Sequence, residues 1–220
     1  MNLEGRVINF LGDSFTEAGG ATSLEYGFVA VMEREYLLAK ARNYGVCGTC
    51  IAKRLRPYGI KEQDESWWED FVTRAKRMDH NADAVVVLGG TNDYGHGDVP
   101  IGSLTDKDTT FCGQFNVLCD ILLQNYRGKP ILIVTPTPRG DISGPVGDGG
   151  RNFATGELSE YVSAMIAIAN NKGLTVLNLF DDPQFALGQE LDVLCHDQLH
   201  PSNYGHRLLA KKIAEQLQKM

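Results

Sequence analysis

The sequence predicts a three-layer α/β fold around a parallel sheet of about five strands. Three observations predict it. Short apolar runs, several of them β-branched, recur along the chain and are bounded by glycine or proline. Stretches with the period of an amphipathic helix lie between them. The runs are continuous rather than alternating, as expected for strands buried on both faces.

The first run is Val7 to Leu11, closed by Gly12. A weaker run, Ala41 to Val46, is a candidate second strand. Ser66 and Glu69 in "SWWED" have capping-box spacing ahead of Phe71, Val72 and Ala75, which predicts a helix start there. Ala84 to Leu88, "AVVVL", is the third run and ends at Gly89-Gly90. Phe111, Phe115, Leu118 and Leu122 share one helical face. Ile131 to Val134 follows Pro130 and runs into "TPTP". Leu158, Tyr161, Val162, Met165, Ile168 and Ala169 mark another helix, with Gly173 as its stop. Leu174 to Leu179 is the last strand. Tyr204, Leu208, Leu209, Ile213 and Leu217 close the chain as a helix.

The 220 residues suit a single domain over 1–220, and 43% hydrophobic content supports a real core. A net charge of −7 argues against nucleic acid as a partner, because no basic excess exists to neutralise phosphates. No stretch is apolar for long enough to insert into a membrane, and no signal segment is visible. Five cysteines do not suggest a disulfide framework. The expected setting is cytoplasmic. The oligomeric state is left open.

In a sheet of this kind, ligands bind beyond the carboxyl ends of the strands, where the winding reverses. Asp13 and Ser14 follow the first run. A strand-to-helix turn would expose the Ser14 hydroxyl, and a helix N-terminus favours developing negative charge. A serine needs a base to attack. His200 in "DQLHP" is the candidate, with Asp197 three residues earlier to fix its tautomer. Asn92 in "GGTND" carries an amide that can donate to an oxyanion. Gly48 in "NYGVCG" can add a backbone N–H. Taken singly, each also reads as an ordinary cap, turn or surface residue. Asp13 and Asp93 are expected to accept backbone hydrogen bonds rather than take a chemical step.

Together these segments resemble the SGNH hydrolases, the GDSL esterase and lipase family. "GDSF" matches the Ser block, "NYGVCG" resembles the Gly block, "GGTND" matches the Asn block and "DQLH" the Asp-x-x-His block. They stand in the family's order from Gly12 to His200. Phe15 replaces the family's leucine, and Cys47 beside Gly48 leaves Gly45 as a competing oxyanion glycine. The resemblance implies a flavodoxin-like sheet ordered 2-1-3-4-5. It also implies a serine esterase with a Ser14-His200-Asp197 triad, an acyl-enzyme intermediate and an oxyanion hole of Ser14, Gly48 and Asn92. The expected substrate is a small soluble acyl ester such as an O-acetylated carbohydrate. A lysophospholipase or thioesterase, or a non-catalytic ligand-binding module, are the alternatives. No cofactor and no metal are expected.

Two long polar segments, Tyr94 to Leu104 and Pro136 to Phe153, are expected to shape the substrate pocket. They offer Tyr94, Arg139 and Arg151 as contacts. Two other patterns compete with the hydrolase reading. "CGTC", Cys47 to Cys50, has the spacing of a redox dithiol. Cys195, His196, Asp197, His200 and His206 include metal-ligand types without a second half-site. His206 is expected on the surface of the last helix.

Overall fold

The computed structural model describes residues 1–54, 69–96, 99–140, 156–186, 193, 195 and 197–220. Five strands form one sheet: β1 (Val7–Gly12), β2 (Lys40–Gly45), β3 (Ala84–Leu88), β4 (Ile131–Val134) and β5 (Thr175–Leu177). Every neighbouring pair is parallel, and the order is β2-β1-β3-β4-β5. This is the flavodoxin-like order that the resemblance implied. The helices are α1 (Ser14–Glu17), α2 (Phe28–Glu35), α3 (Phe71–Ala75), α4 (Thr91–His96), α5 (Phe111–Asn125), α6 (Leu158–Asn171) and α7 (Asn203–Gln218).

The apolar runs are continuous because both faces of the sheet are covered. Val85, Val87, Ile131 and Ile133 point into one cluster with Phe71, Phe115, Tyr161 and Met165. Their neighbours Val86, Leu88, Leu132 and Val134 point into the other with Phe28, Met32, Leu209 and Ile213. Thus α3, α5 and α6 cover one face, and α2 and α7 the other. Each large apolar side chain removed from water contributes roughly 1.5–3 kcal/mol.

Several boundaries differ from expectation. β5 covers only Thr175–Leu177 of the predicted Leu174–Leu179, and β2 begins one residue early. α3 begins at Phe71, and its cap is Asp70, whose Oδ1 accepts from Thr73 N at 2.7 Å. Glu69 therefore lies outside the helix and is no capping-box partner; Ser66 falls outside the described residues. α2 has no counterpart in the sequence reading. Neither does α4, which puts Tyr94 and His96 on a helix rather than in a loop.

The register sets the site. Gly12 pairs with Gly45 of β2 and with Leu88 of β3, so three strand ends finish level. α1 crosses them closely. A Cβ at Gly12 would lie 1.9 Å from Thr16 Oγ1, and one at Gly45 would lie 2.2 Å from Glu17 N. Only glycine allows that approach. Among the described residues no helix is long and apolar enough to cross a membrane.

Candidate active site

Ser14 opens α1 directly beyond β1. Asp13 caps the turn, its Oδ1 accepting from Phe15 N at 3.0 Å. The Ser14 amide is one of the first-turn N–H groups that no helix can satisfy internally. α1 is a single turn, so any dipole contribution is correspondingly small.

The other end of the chain meets this turn. The Ser14 hydroxyl lies 2.9 Å from His200 Nε2, and His200 Nδ1 lies 2.6 Å from Asp197 Oδ2. A carboxylate can only accept, so Nδ1 carries the proton and Nε2 presents its lone pair to Ser14. Asp197 Oδ1 accepts from the Leu199 and His200 amides at 3.0 Å each. Burial raises the Asp197 pKa, but the His200 imidazole and these two amides outweigh it and hold the carboxyl below its usual range. Asp197 therefore stays ionised at neutral pH and fixes both the backbone and the ring of its loop.

The Gly-block loop lies beside Ser14. Gly48 has φ +73, and a Cβ there would meet nothing within 4 Å. Its neighbours' amides are committed: Gly45 N donates to Asn43 Oδ1 at 2.8 Å, and Cys47 N donates to the Glu17 carboxylate. Among the described residues no acceptor is bonded to the Gly48 amide. That geometry separates Gly48 from Gly45, whose glycine is required by the backbone of α1. Asn92 Nδ2 donates to Thr49 O at 3.0 Å, leaving its second proton for another acceptor. His96, one turn along α4, has Nε2 3.2 Å from Gly48 O. Asp93 accepts from Ile51 N and Ala52 N at 3.0 and 2.9 Å. Burial pushes its pKa up to about 6, against those two hydrogen bonds.

Tyr94 and Arg139 do not sit as loop contacts. Tyr94 is buried in the core, edge-on to Tyr161 with ring centroids 6.2 Å apart. Arg139 Nη1 donates to Thr91 O and Oγ1, both at 3.2 Å, and its guanidinium lies 5.7 Å from the Tyr94 ring centre. Both residues brace α4. Arg151 lies outside the described residues, as does His196. His206 is fully buried rather than on the surface. Its Nε2 donates to Gly19 O at 2.9 Å and its Nδ1 accepts from Phe28 N at 3.2 Å. Burial lowers its pKa to about 4. Among the described residues no three His, Cys, Asp or Glu side chains gather as metal ligands. Cys50 is buried and Cys47 half-buried.

A family model described as the GDSL-like lipase/acylhydrolase family matches residues 10–208. The chain belongs to this family. It is accordingly a hydrolase acting on ester bonds. Among curated proteins none matches the chain. A crystal structure from Lactobacillus plantarum is similar over 98% of each chain, with 28% identity and a TM-score of 0.79. A lipase/acylhydrolase from Enterococcus faecalis shares 21% identity over 97% of this chain and 96% of its own, with a TM-score of 0.65. An acetyl-xylooligosaccharide esterase from Geobacillus shares 18% identity over 99% and 96%, with a TM-score of 0.58. The last two likenesses show the fold.

One side chain at the GDSL-type site escaped the sequence reading. Arg74 is buried, and its guanidinium bonds to Gly12 O before the Ser14 turn and to Thr49 Oγ1 beside Gly48. A signal existed. Phe71, Arg74, Ala75 and Met78 share one helical face, so the arginine interrupts an apolar stripe.

Proposed function

We propose that this GDSL-family hydrolase is a serine esterase acting through Ser14, His200 and Asp197. The observation carrying this reading is the continuous relay from Asp197 Oδ2 through both His200 nitrogens to Ser14 Oγ, at 2.6 and 2.9 Å. His200 Nε2 takes the Ser14 proton as Oγ bonds to the ester carbonyl carbon. Asp197 holds the ring and stabilises the imidazolium. The carbonyl oxygen becomes an oxyanion, and the Ser14 amide, the Gly48 amide and the spare Asn92 proton serve as its donors. The carbon–oxygen bond to the alcohol then breaks, and His200 returns the proton to that alcohol. Water, deprotonated by His200, attacks the acyl-enzyme. Collapse releases the acid and restores the Ser14 hydroxyl.

The substrate we infer is a small, soluble acyl ester such as an O-acetylated carbohydrate. The polar composition of residues 136–153 supports it, as does the similarity to an acetyl-xylooligosaccharide esterase. The test combines a fluorophosphonate probe with p-nitrophenyl esters of graded chain length and acetylated xylo-oligosaccharides. Wild-type protein should label at one site and prefer acetyl over long acyl chains. Ser14→Ala should lose labelling and turnover. Labelling that survives in Ser14→Ala would place the nucleophile elsewhere. A preference for long chains would favour a lysophospholipase.

A further inference from the structure

Arg74 makes four hydrogen bonds to four separate stretches of backbone or side chain. Nη1 donates to Gly12 O at 3.0 Å and to Tyr44 O. Nη2 donates to Thr49 Oγ1 at 2.7 Å, and Nε donates to Glu69 O at 3.1 Å. The guanidinium lies 4.7 Å from the centre of the Phe71 ring. Gly12 is two residues before Ser14. Tyr44 is where β2 turns into the Gly-block loop. Thr49 adjoins Gly48. One planar cation therefore spans the nucleophile turn and the oxyanion loop.

The hydrogen-bond directions carry the argument further. A guanidinium can only donate, so Thr49 Oγ1 must accept from Arg74. Its own proton is then free for Val46 O, 2.7 Å away. Together with the longer backbone bond from Thr49 N to Val46 O at 3.4 Å, this side-chain bond closes the turn Val46-Cys47-Gly48-Thr49, which carries the Gly48 amide. The carbonyl of the same Thr49 accepts from Asn92 Nδ2. Gly48 and Asn92 are thus both referred to one residue, and that residue is referred to Ser14 through Arg74.

We infer that Arg74 is a positioning residue for ester hydrolysis: its fork holds the oxyanion donors Gly48 and Asn92 in register with Ser14. The inference rests on the serine-esterase reading above. Lysine cannot replace this geometry, because one ammonium carries its N–H groups on a single atom and cannot reach the four divergent acceptors. Donors held in register act on the transition state, so their loss lowers kcat and leaves KM nearly unchanged.

The test measures kcat and KM for p-nitrophenyl acetate in wild type, Arg74→Lys, Asn92→Ala and the double variant, with Ser14→Ala as control and thermal melts for each. Arg74→Lys should lower kcat by about tenfold or more, as expected for a lost charged hydrogen bond, with KM within about threefold. In the Asn92→Ala background the same change should cost less than about threefold, because the two residues act through Thr49. Unchanged kcat in Arg74→Lys, or fully additive losses, would overturn the inference. Should Arg74→Lys fail to fold, Thr49→Val decides. It keeps the side-chain shape and removes the hydroxyl, and it should show the same loss of kcat and the same non-additivity with Asn92→Ala. An undiminished kcat in Thr49→Val would overturn the inference. Wild-type turnover that persists in Ser14→Ala would instead sink the esterase reading, and this inference with it.

Discussion

The residue next to Ser14 is under local tension. Asp13 is fully buried, and its Oδ2 has no hydrogen-bond partner among the described residues. Burial pushes its pKa up to about 7, with the charge of Asp93 adding to the rise and the Phe15 amide and Arg74 opposing it. A carboxyl whose folded pKa exceeds its unfolded value binds its proton more tightly in the folded state. Its contribution to stability is complete below about pH 4 and is lost as pH rises through about 7. Asp93 acts in the same direction up to about pH 6. His206 acts oppositely. Its pKa is lowered to about 4, so its stabilising contribution is present above the ordinary histidine value of 6.5 and is lost as pH falls towards 4. The windows overlap, and only a difference measurement isolates Asp13. Asp13→Asn mimics the protonated form. Relative to wild type it should gain about 1–3 kcal/mol of stability between pH 4 and pH 7.5 in urea denaturation. A difference that does not change with pH would show that Asp13 titrates normally.

Elements were legible where burial and periodicity agreed. β3 and β4 read as strands because every residue is apolar, and α5, α6 and α7 because their apolar residues recur at helical spacing. α2 was missed because "FVAVMERE" has a β-branched start, and its N-cap is Gly27, which makes no side-chain cap. α4 was missed because "TNDYGH" is made of turn formers. Its support is tertiary, from Arg139 on Thr91 and from Asp93 on the Ile51 and Ala52 amides. The four blocks of the candidate site were legible because each follows a strand end or precedes a helix cap. What bound them together was not: Arg74 stood out only as a break in an apolar stripe, and its partners, like those of His96 and His206, lie on segments distant in sequence. His206 shows the consequence for α7. It joins α7 to the start of α2 and to Gly19, and it stacks on Phe28 at 6.3 Å. His206→Leu would keep the volume and strand Phe28 N and Gly19 O. Each orphaned buried group costs about 1–3 kcal/mol, so the variant should lose about 2–4 kcal/mol in chemical denaturation. A loss below about 1 kcal/mol would mean that those groups find other partners.

At the scale of the molecule, the parallel topology leaves Ser14 and His200 on the same edge, although 186 residues separate them. The sheet alone does not bring an imidazole within 3 Å of a hydroxyl. The seat that does so is the turn after α1. A Cβ at Gly20 would lie 2.4 Å from Pro201 O, 2.7 Å from His200 Cβ and 3.0 Å from Cys195 Sγ. Cys195 Sγ also lies 3.3 Å from Gly20 O, and Cys195 N donates to His200 O at 2.8 Å. The His200 loop therefore rests directly on Gly20. Within the loop Gln198, at φ +51, donates its N–H to Cys195 O at 2.9 Å, and its carbonyl accepts from Gly140 N at 2.9 Å, tying the loop to the segment after β4. Gly20→Ala adds one methyl group to this contact, at a φ of +87 that alanine resists. The sheet is untouched, and the loop contributes Leu199 to one apolar cluster, so the stability cost should stay near the roughly 1–3 kcal/mol typical of overpacking. The relief available is movement of the His200 loop away from Ser14. A displacement of about 1 Å between reacting groups can cost about a hundredfold in rate. Gly20→Ala should thus lose kcat far out of proportion to its melting temperature, and should label with fluorophosphonate correspondingly slowly. Equal and modest losses in both would mean that the two ends of the chain are held together elsewhere.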